Sequence, residues 1–364
     1  MRNQAVYIHI PFCQTICSYC DFCKLYYRKE WVGPYLTALK QEVLTYFPKD
    51  KIKTIYIGGG TPSVLSKEEL EQLLQITDLF SRDSLYEFTF ECNIEQMTEE
   101  KLKLLKNHGV NRISYGIQTF HQTHLKELNR KHHRKQVIDL IALTKNYIPN
   151  INVDLMYAFE TETLEELTED LACFLELDVP HISTYSLIIE PNTVFGNQKK
   201  NVIDDDMDAN MYEQICQTLA QHGYQHYEVS NFAKPGFQSR HNLTYWDNRY
   251  YYGYGLGASG YHEKIRYTNT RSLNHYNNGA YRLLEHQVTD QEAMENELML
   301  GLRKCQGVSK KQFQARYHLK MEEVFPIQQL IKEGKLAVQG DYIRITPAYF
   351  YLSNEVLVSF IGEE

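Results

Sequence analysis

Cys13, Cys17, Cys20 and Cys23 fall within eleven residues, spaced C-x3-C-x2-C with a further C-x2-C step, whereas Cys92, Cys173, Cys216 and Cys305 are scattered. Thiols clustered in this way ask for a metal. Iron–sulfur clusters are held by thiolates, and a 4Fe–4S cluster held by three of them keeps its fourth iron open to a small molecule. A structural zinc knuckle is the competing reading. Zinc usually draws two pairs of ligands from separate turns, which four cysteines on one tight loop fit poorly, so the spacing favours the cluster.

A second constellation is His241-Asn242-Leu243-Thr244-Tyr245-Trp246, preceded by Tyr227-Glu228-Val229-Ser230-Asn231-Phe232-Ala233, Pro235-Gly236 and Ser239-Arg240. An imidazole that can ligate iron, beside flat rings that can pack on a macrocycle, supplies the parts of a heme pocket. The plainer reading is a turn capped by Asn242 and anchored by Trp246. Gly58-Gly59-Gly60-Thr61-Pro62 adds backbone that a ligand can approach closely, although a glycine triplet alone is most simply a turn. Glu91, Gln118 and Asp154 are polar residues in or just after β-rich runs, where a barrel places its chemistry, and Arg130 lies twelve residues beyond Gln118, although each taken singly is more simply a surface ion pair or helix cap.

These residues need a scaffold, and the periodicity predicts one. Strands are expected at 6–10, 54–57, 87–92, 112–116, 151–156 and 181–187, alternating with helices near 31–46, 67–80, 98–107, 134–147 and 164–176. Ser66 with Glu69 reads as a capping box. Repeated β-α units give an α/β fold with a parallel six-stranded sheet curved into a partial or closed barrel, and the cysteine loop directly follows the first strand. A helix is expected at 204–222. The Gly-, Tyr- and Asn-rich stretch 224–278 reads as ordered loops at the barrel mouth. Helical runs at 292–303, 310–317 and 321–333, a β pair at 336–338 and 342–345, and a helix at 353–360 suggest a small winged-helix-like α+β domain serving as a structural or partner-docking appendage. The expected division is 1–195, 196–289 and 290–364. His132 and His133 read as exposed helix-entry residues.

Composition limits the function. The 364 residues carry 38 Lys and Arg against 46 Asp and Glu, a formal charge of −8, which gives no electrostatic reason to expect nucleic acid. The 28 tyrosines suit a cleft for a flat ligand, although core packing accounts for most of them. No apolar run approaches a membrane span, and Met1-Arg2-Asn3-Gln4 lacks the apolar stretch of a signal peptide, so a cytoplasmic protein with reduced thiols is expected.

The run Tyr7-Ile8-His9-Ile10-Pro11-Phe12-Cys13, followed by Cys17 and by Cys20 with Tyr19 before it, resembles the loop of radical S-adenosylmethionine proteins, specifically the oxygen-independent coproporphyrinogen III oxidase family with its heme-chaperone branch. The likeness extends along nearly the whole chain. Glu91-Cys92-Asn93 resembles the family's Glu-x-Asn-Pro, with Ile94 in place of proline. Ile113-Ser114-Tyr115-Gly116-Ile117-Gln118-Thr119-Phe120 resembles I-S-x-G-x-Q-S-F. Arg130 lies in Leu128-Asn129-Arg130-Lys131-His132 and Asp154 in Asn152-Val153-Asp154-Leu155-Met156-Tyr157. The resemblance implies a radical-SAM (β/α)6 partial barrel. It also implies a 4Fe–4S cluster on Cys13, Cys17 and Cys20, whose open iron chelates the methionine moiety and whose electron cleaves the sulfonium to a 5′-deoxyadenosyl radical. S-adenosylmethionine contacts are implied at Tyr7, Tyr19, Gly59, Gly60, Thr61, Glu91, Gln118, Arg130 and Asp154.

Two departures stand out. After Tyr157 the family usually reads Gly-Leu-Pro-x-Gln, where this chain has Ala158-Phe159-Glu160-Thr161-Glu162. The oxidases proper continue C-x3-C-x2-C with x-C, whereas Asp21-Phe22 follows Cys20 here, which makes Cys23 a spare thiol or a neighbour of the cluster. The H-N-x-x-Y-W motif of the chaperone branch is present and implies heme at His241, Tyr245 and Trp246. It carries His241 as iron ligand, apo-acceptors such as cytochromes or respiratory enzymes, and an electron donor such as flavodoxin or ferredoxin; a homodimer is compatible with it. The alternative is a coproporphyrinogen III dehydrogenase, and a related radical methylase or heme-degrading enzyme is a third reading. The motif, the missing C-x-C ending and the mere twelve residues before Cys13, too few for the oxidases' covering segment, favour the chaperone.

Overall fold

The computed structural model describes residues 4–361. Met1, Arg2 and Asn3, at the start read as lacking a signal peptide, lie outside the described residues. The six expected strands form as β1 (Ala5–Ile10), β2 (Ile52–Gly59), β3 (Arg82–Asn93), β4 (Arg112–Gln118), β5 (Ile151–Tyr157) and β6 (His181–Ser186), each parallel to the next. Their side chains alternate with the strand period of two. Val6, Ile8, Ile55, Ile57, Phe88, Phe90, Ile113, Val153 and Ile182 enter one continuous core with residues of the covering helices such as Val32, Leu36 and Leu74. The other face supplies Glu91, Asn93, Ser114, Gly116, Asp154 and Tyr185 to a single cavity. Hydrophobic burial therefore fixes the register, and the register aims the polar residues inward. Ser66 and Glu69 form the expected reciprocal capping box at the helix Lys67–Thr77.

The stretch expected to be mostly loops is more regular than its composition suggests. It supplies β7 (Gln225–Glu228), β8 (Asn231–Ala233) and β9 (Tyr252–Tyr254), and the main sheet runs β9-β1-β2-β3-β4-β5-β6-β8-β7. β9 pairs parallel to β1, while β8 pairs antiparallel to β6 and β7. Residues 196–289 thus extend the barrel sheet at both edges. They also hold an antiparallel sheet of β10 (Ser259–His262), β11 (Ile265–Asn269) and β12 (Arg282–Gln287). Buried Glu42, on the helix Lys29–Thr45, binds this region to the barrel: it accepts from Gly255 N at 2.8 Å, the Tyr276 hydroxyl at 2.6 Å, Asn269 Nδ2 at 2.7 Å and Arg282 Nη1 at 3.1 Å. A buried carboxylate with four donors is stabilising where an unpaired one would be costly.

The C-terminal part has its own core, built on Leu298, Phe313, Ile327, Ile343 and Phe360. Its sheet has three strands, β13 (Val308–Ser309), β14 (Leu336–Gln339) and β15 (Tyr342–Ile345), one more than the expected pair, with β15 central. The helix expected over 321–333 is two, Met321–Val324 and Ile327–Lys332, because Pro326 between them cannot continue the hydrogen-bond ladder. Among the described residues no helix is long and apolar enough to cross a membrane.

Candidate functional site

A cavity of about 450 Å³ opens at the C-terminal ends of β2 to β6. Cys13, Cys17 and Cys20 all line it and Cys23 does not. The Thr61 hydroxyl donates to Cys13 Sγ at 3.5 Å and Arg130 Nη1 to Cys17 Sγ at 3.8 Å. Cys92 also borders the cavity, but its thiol is buried in the hydrophobic core and donates to the Phe90 carbonyl at 3.8 Å. The three loop thiols are the donor set of a cluster with one iron left open, so these residues fit the group. Cys23 is held elsewhere. Its carbonyl accepts from His9 Nε2 at 2.6 Å, which makes Nδ1 the acceptor for the Tyr7 hydroxyl at 3.0 Å. Burial lowers the His9 pKa to about 4, so the ring is a neutral bridge from strand to cysteine loop. The family resemblance marks Tyr7 but not His9.

Of the residues implied to contact S-adenosylmethionine, Tyr19, Gly59, Gly60, Thr61, Glu91, Gln118, Arg130 and Asp154 line this cavity. Tyr7 lies outside the lining; its hydroxyl bonds His9, whose ring packs behind Gly59 of the lining. Gly59 has φ +108, and a Cβ there would stand 2.3 Å from the His9 ring. At Gly58 a Cβ would stand 2.6 Å from the Glu91 carboxylate, so the triplet is required by close approach. Glu91 accepts from the Tyr56 hydroxyl at 2.6 Å and Gly59 N at 3.1 Å. Burial raises its pKa to about 7, with the charge of Asp154 adding to the rise. Burial also raises Asp154, to about 6. Arg112, almost wholly buried in the barrel and unmarked by any motif, opposes both shifts with its positive charge. Arg130 is fixed by Asn93 Oδ1 at 2.8 Å and by the Gly116 carbonyl.

The departure after Tyr157 has a structural reading. Ala158 holds φ +65, the left-handed conformation for which the family's glycine is better suited. Glu162, at the position of the family's Gln, accepts from Phe159 N at 3.1 Å, and burial lifts its pKa to about 8. A protonated carboxyl there has the donor and acceptor pattern of the amide it replaces. His132, read from sequence as exposed, is wholly buried, 3.6 Å from Glu95, because the segment after Arg130 folds inward; His133 is exposed as expected.

The histidine motif forms the helix Arg240–Trp246 and lies at the opposite end of the barrel, which corrects its expected place at the mouth. Glu87, in the first half of β3, accepts Arg240 N at 3.0 Å and His241 N at 2.9 Å, so the N-terminus of this helix plugs the barrel floor. Both ring nitrogens of His241 are engaged, Nδ1 with the Thr54 hydroxyl at 2.9 Å and Nε2 with the Tyr245 hydroxyl at 2.8 Å. Burial lowers its pKa to about 3. The expected free imidazole is therefore not presented. A buried chain joins floor to mouth: Ser239 N donates to the Tyr227 hydroxyl at 3.2 Å, that hydroxyl to His181 Nε2 at 2.8 Å, His181 Nδ1 to Asn152 Oδ1 at 2.5 Å, and Asn152 Nδ2 to Asp154 at 2.7 Å. Beneath the floor, a cleft of about 550 Å³ runs between Lys53, Thr54, Arg240, Leu243 and Trp246 on one side and the C-terminal domain on the other.

The Radical SAM superfamily model matches residues 7–173, and the HemN C-terminal domain model matches 288–351. The chain is 42% identical to the heme chaperone HemW of Lactococcus lactis subsp. lactis, across 100% of this chain and 98% of the relative. Identity to the heme chaperone HemW of Bacillus subtilis is 40%, across 99% and 100%, and to that of Escherichia coli 34%, across 99% and 98%. The solved structure of coproporphyrinogen III oxidase HemN from Escherichia coli superposes with a TM-score of 0.86 at 20% identity, covering 99% of this chain and 90% of that one, a likeness of fold. With a radical SAM core, a HemN-type C-terminal domain and full-length similarity to these relatives, the chain belongs to the HemW family.

Proposed function

We propose that this chain is a heme chaperone: it binds heme and passes it to apo-acceptor proteins such as cytochromes or respiratory enzymes. The observation that carries this reading is similarity over the full length to relatives named heme chaperones, at 42% and 40% identity. Cys13, Cys17 and Cys20 hold a 4Fe–4S cluster, and Tyr19, Gly59, Gly60, Thr61, Glu91, Gln118, Arg130 and Asp154 hold S-adenosylmethionine, with Tyr7 supporting them through His9. The convergence of these groups on one cavity supports that assignment. When bound, the cluster supplies a reducing electron to the sulfonium. Glu91 and Asp154 accept hydrogen bonds and offset positive charge, and Arg130 holds the wall beside Cys17. Flavodoxin or ferredoxin would deliver the electron at the mouth, beside exposed Phe22. On the motif helix, Trp246 lines the cleft beneath the floor and faces the heme, while His241 and Tyr245 brace the helix from the barrel side.

Anaerobic cluster reconstitution followed by heme titration, in parallel with an assay of vinyl-group formation from coproporphyrinogen III, tests this function. Stoichiometric heme binding without vinyl formation is expected. Vinyl formation would replace the reading with a dehydrogenase.

A further inference from the structure

We infer that heme seats in the cleft beneath the barrel floor, its propionates on Lys53 and Arg240, and not at the mouth above the cysteines. This rests on the heme-chaperone reading and gives it a location. The chain carries a formal charge of −8, yet the cleft is lined by Lys53, Arg240, Arg249, Lys304 and Arg316 against Asp247 and Glu297. Lys304 and Arg249 share Asp247, at 2.5 and 3.0 Å, and Arg316 pairs with Glu297. Lys53 and Arg240 have no carboxylate partner among the described residues; the Arg240 guanidinium bonds only the Leu85 carbonyl. Two cations without a carboxylate partner in the lining of one cleft suit a ligand with two carboxylates. Leu243 and Trp246 beside them, with Val308 and Tyr342 of the C-terminal domain, offer apolar surface to a flat body. The volume, about 550 Å³, falls within the range of small-molecule sites. The mouth, about 450 Å³, is already committed to the cysteines and their polar neighbours.

The test is a heme titration of the reconstituted full-length protein, followed by absorbance, for wild type, Lys53→Glu/Arg240→Glu, the milder Lys53→Gln/Arg240→Gln and the mouth variant Ile188→Asp. Heme dimethyl ester, whose propionates are uncharged, is titrated alongside. Both floor variants are expected to lose affinity by roughly tenfold or more while still binding S-adenosylmethionine, which reports an intact fold. The ester should bind wild type more weakly by a similar factor and should not distinguish wild type from the Gln variant. Ile188→Asp should bind heme as wild type does. Wild-type affinity in the floor variants, or loss confined to Ile188→Asp, would overturn the location and leave the heme-chaperone reading standing. A wild type that binds no heme would overturn that reading itself.

Discussion

The His241 imidazole lies 2.9 Å from the Thr54 hydroxyl, near the start of β2, and so sits at the far end of the barrel from the cysteine loop. With Tyr245 on its other nitrogen, the ring works as a plug between helix and sheet. His241→Ala should destabilise the fold by about 2–4 kcal/mol, through a cavity and two lost hydrogen bonds, and should weaken heme binding without moving the Soret band. Denaturation and a heme titration check this; a displaced or abolished Soret band would mean that the ring leaves its partners to bind iron. Its lowered pKa fixes the pH dependence. The folded ring stays neutral to about pH 3, while the unfolded one protonates near 6.5, so its contribution is complete above 6.5 and is lost as pH falls below that.

Glu91 makes S-adenosylmethionine binding depend on pH. With its pKa raised to about 7, the carboxyl is protonated in the free protein below neutrality, and a cationic ligand favours the ionised form. Affinity should therefore rise from pH 6 to 8. Calorimetry across that range on the reconstituted protein is the check, and Glu91→Gln should bind more weakly with a flatter profile.

Glu162→Gln should stabilise the protein increasingly as pH rises. The folded carboxyl keeps its proton to about pH 8 while the unfolded one loses it near 4.5, so the native residue costs stability that grows between those values. Thermal melts should show the variant ahead by about 2–4 kcal/mol at pH 8 and level with wild type at pH 4. Equal stability at pH 8 would refute the assignment.

The cysteines should divide three to one. Replacing Cys13, Cys17 or Cys20 with Ala should abolish the cluster, whereas Cys23→Ala should leave about four irons per chain, because of the four loop cysteines Cys23 alone stands outside the cavity lining. Iron analysis and the visible spectrum after anaerobic reconstitution decide it. Loss of iron in Cys23→Ala would contradict the three-ligand site.

The barrel was legible because β1 to β6 bury one face against helices, and the resulting alternation survives in the sequence. Cysteine spacing is equally local, and it marked the loop that lines the cavity. The edge strands were not legible. β9 is three residues long, made of tyrosine and glycine, and pairs with β1, which lies far earlier in the chain. Arg112 and His9 went unread because a strand shows which residues alternate but not which inward side chain meets a ligand-bearing loop. The motif's end of the barrel was misjudged for a related reason: a histidine beside aromatic residues carries ligand chemistry and core packing in the same letters, and only the Thr54 and Glu87 contacts separate the two.

The most direct test of the central claim is heme transfer by the anaerobically reconstituted protein to an apo-cytochrome, with coproporphyrinogen III supplied in a parallel reaction. The account predicts one heme bound per chain, its movement to the acceptor and no protoporphyrinogen. Protoporphyrinogen formation, or heme that never leaves the chain, would contradict it.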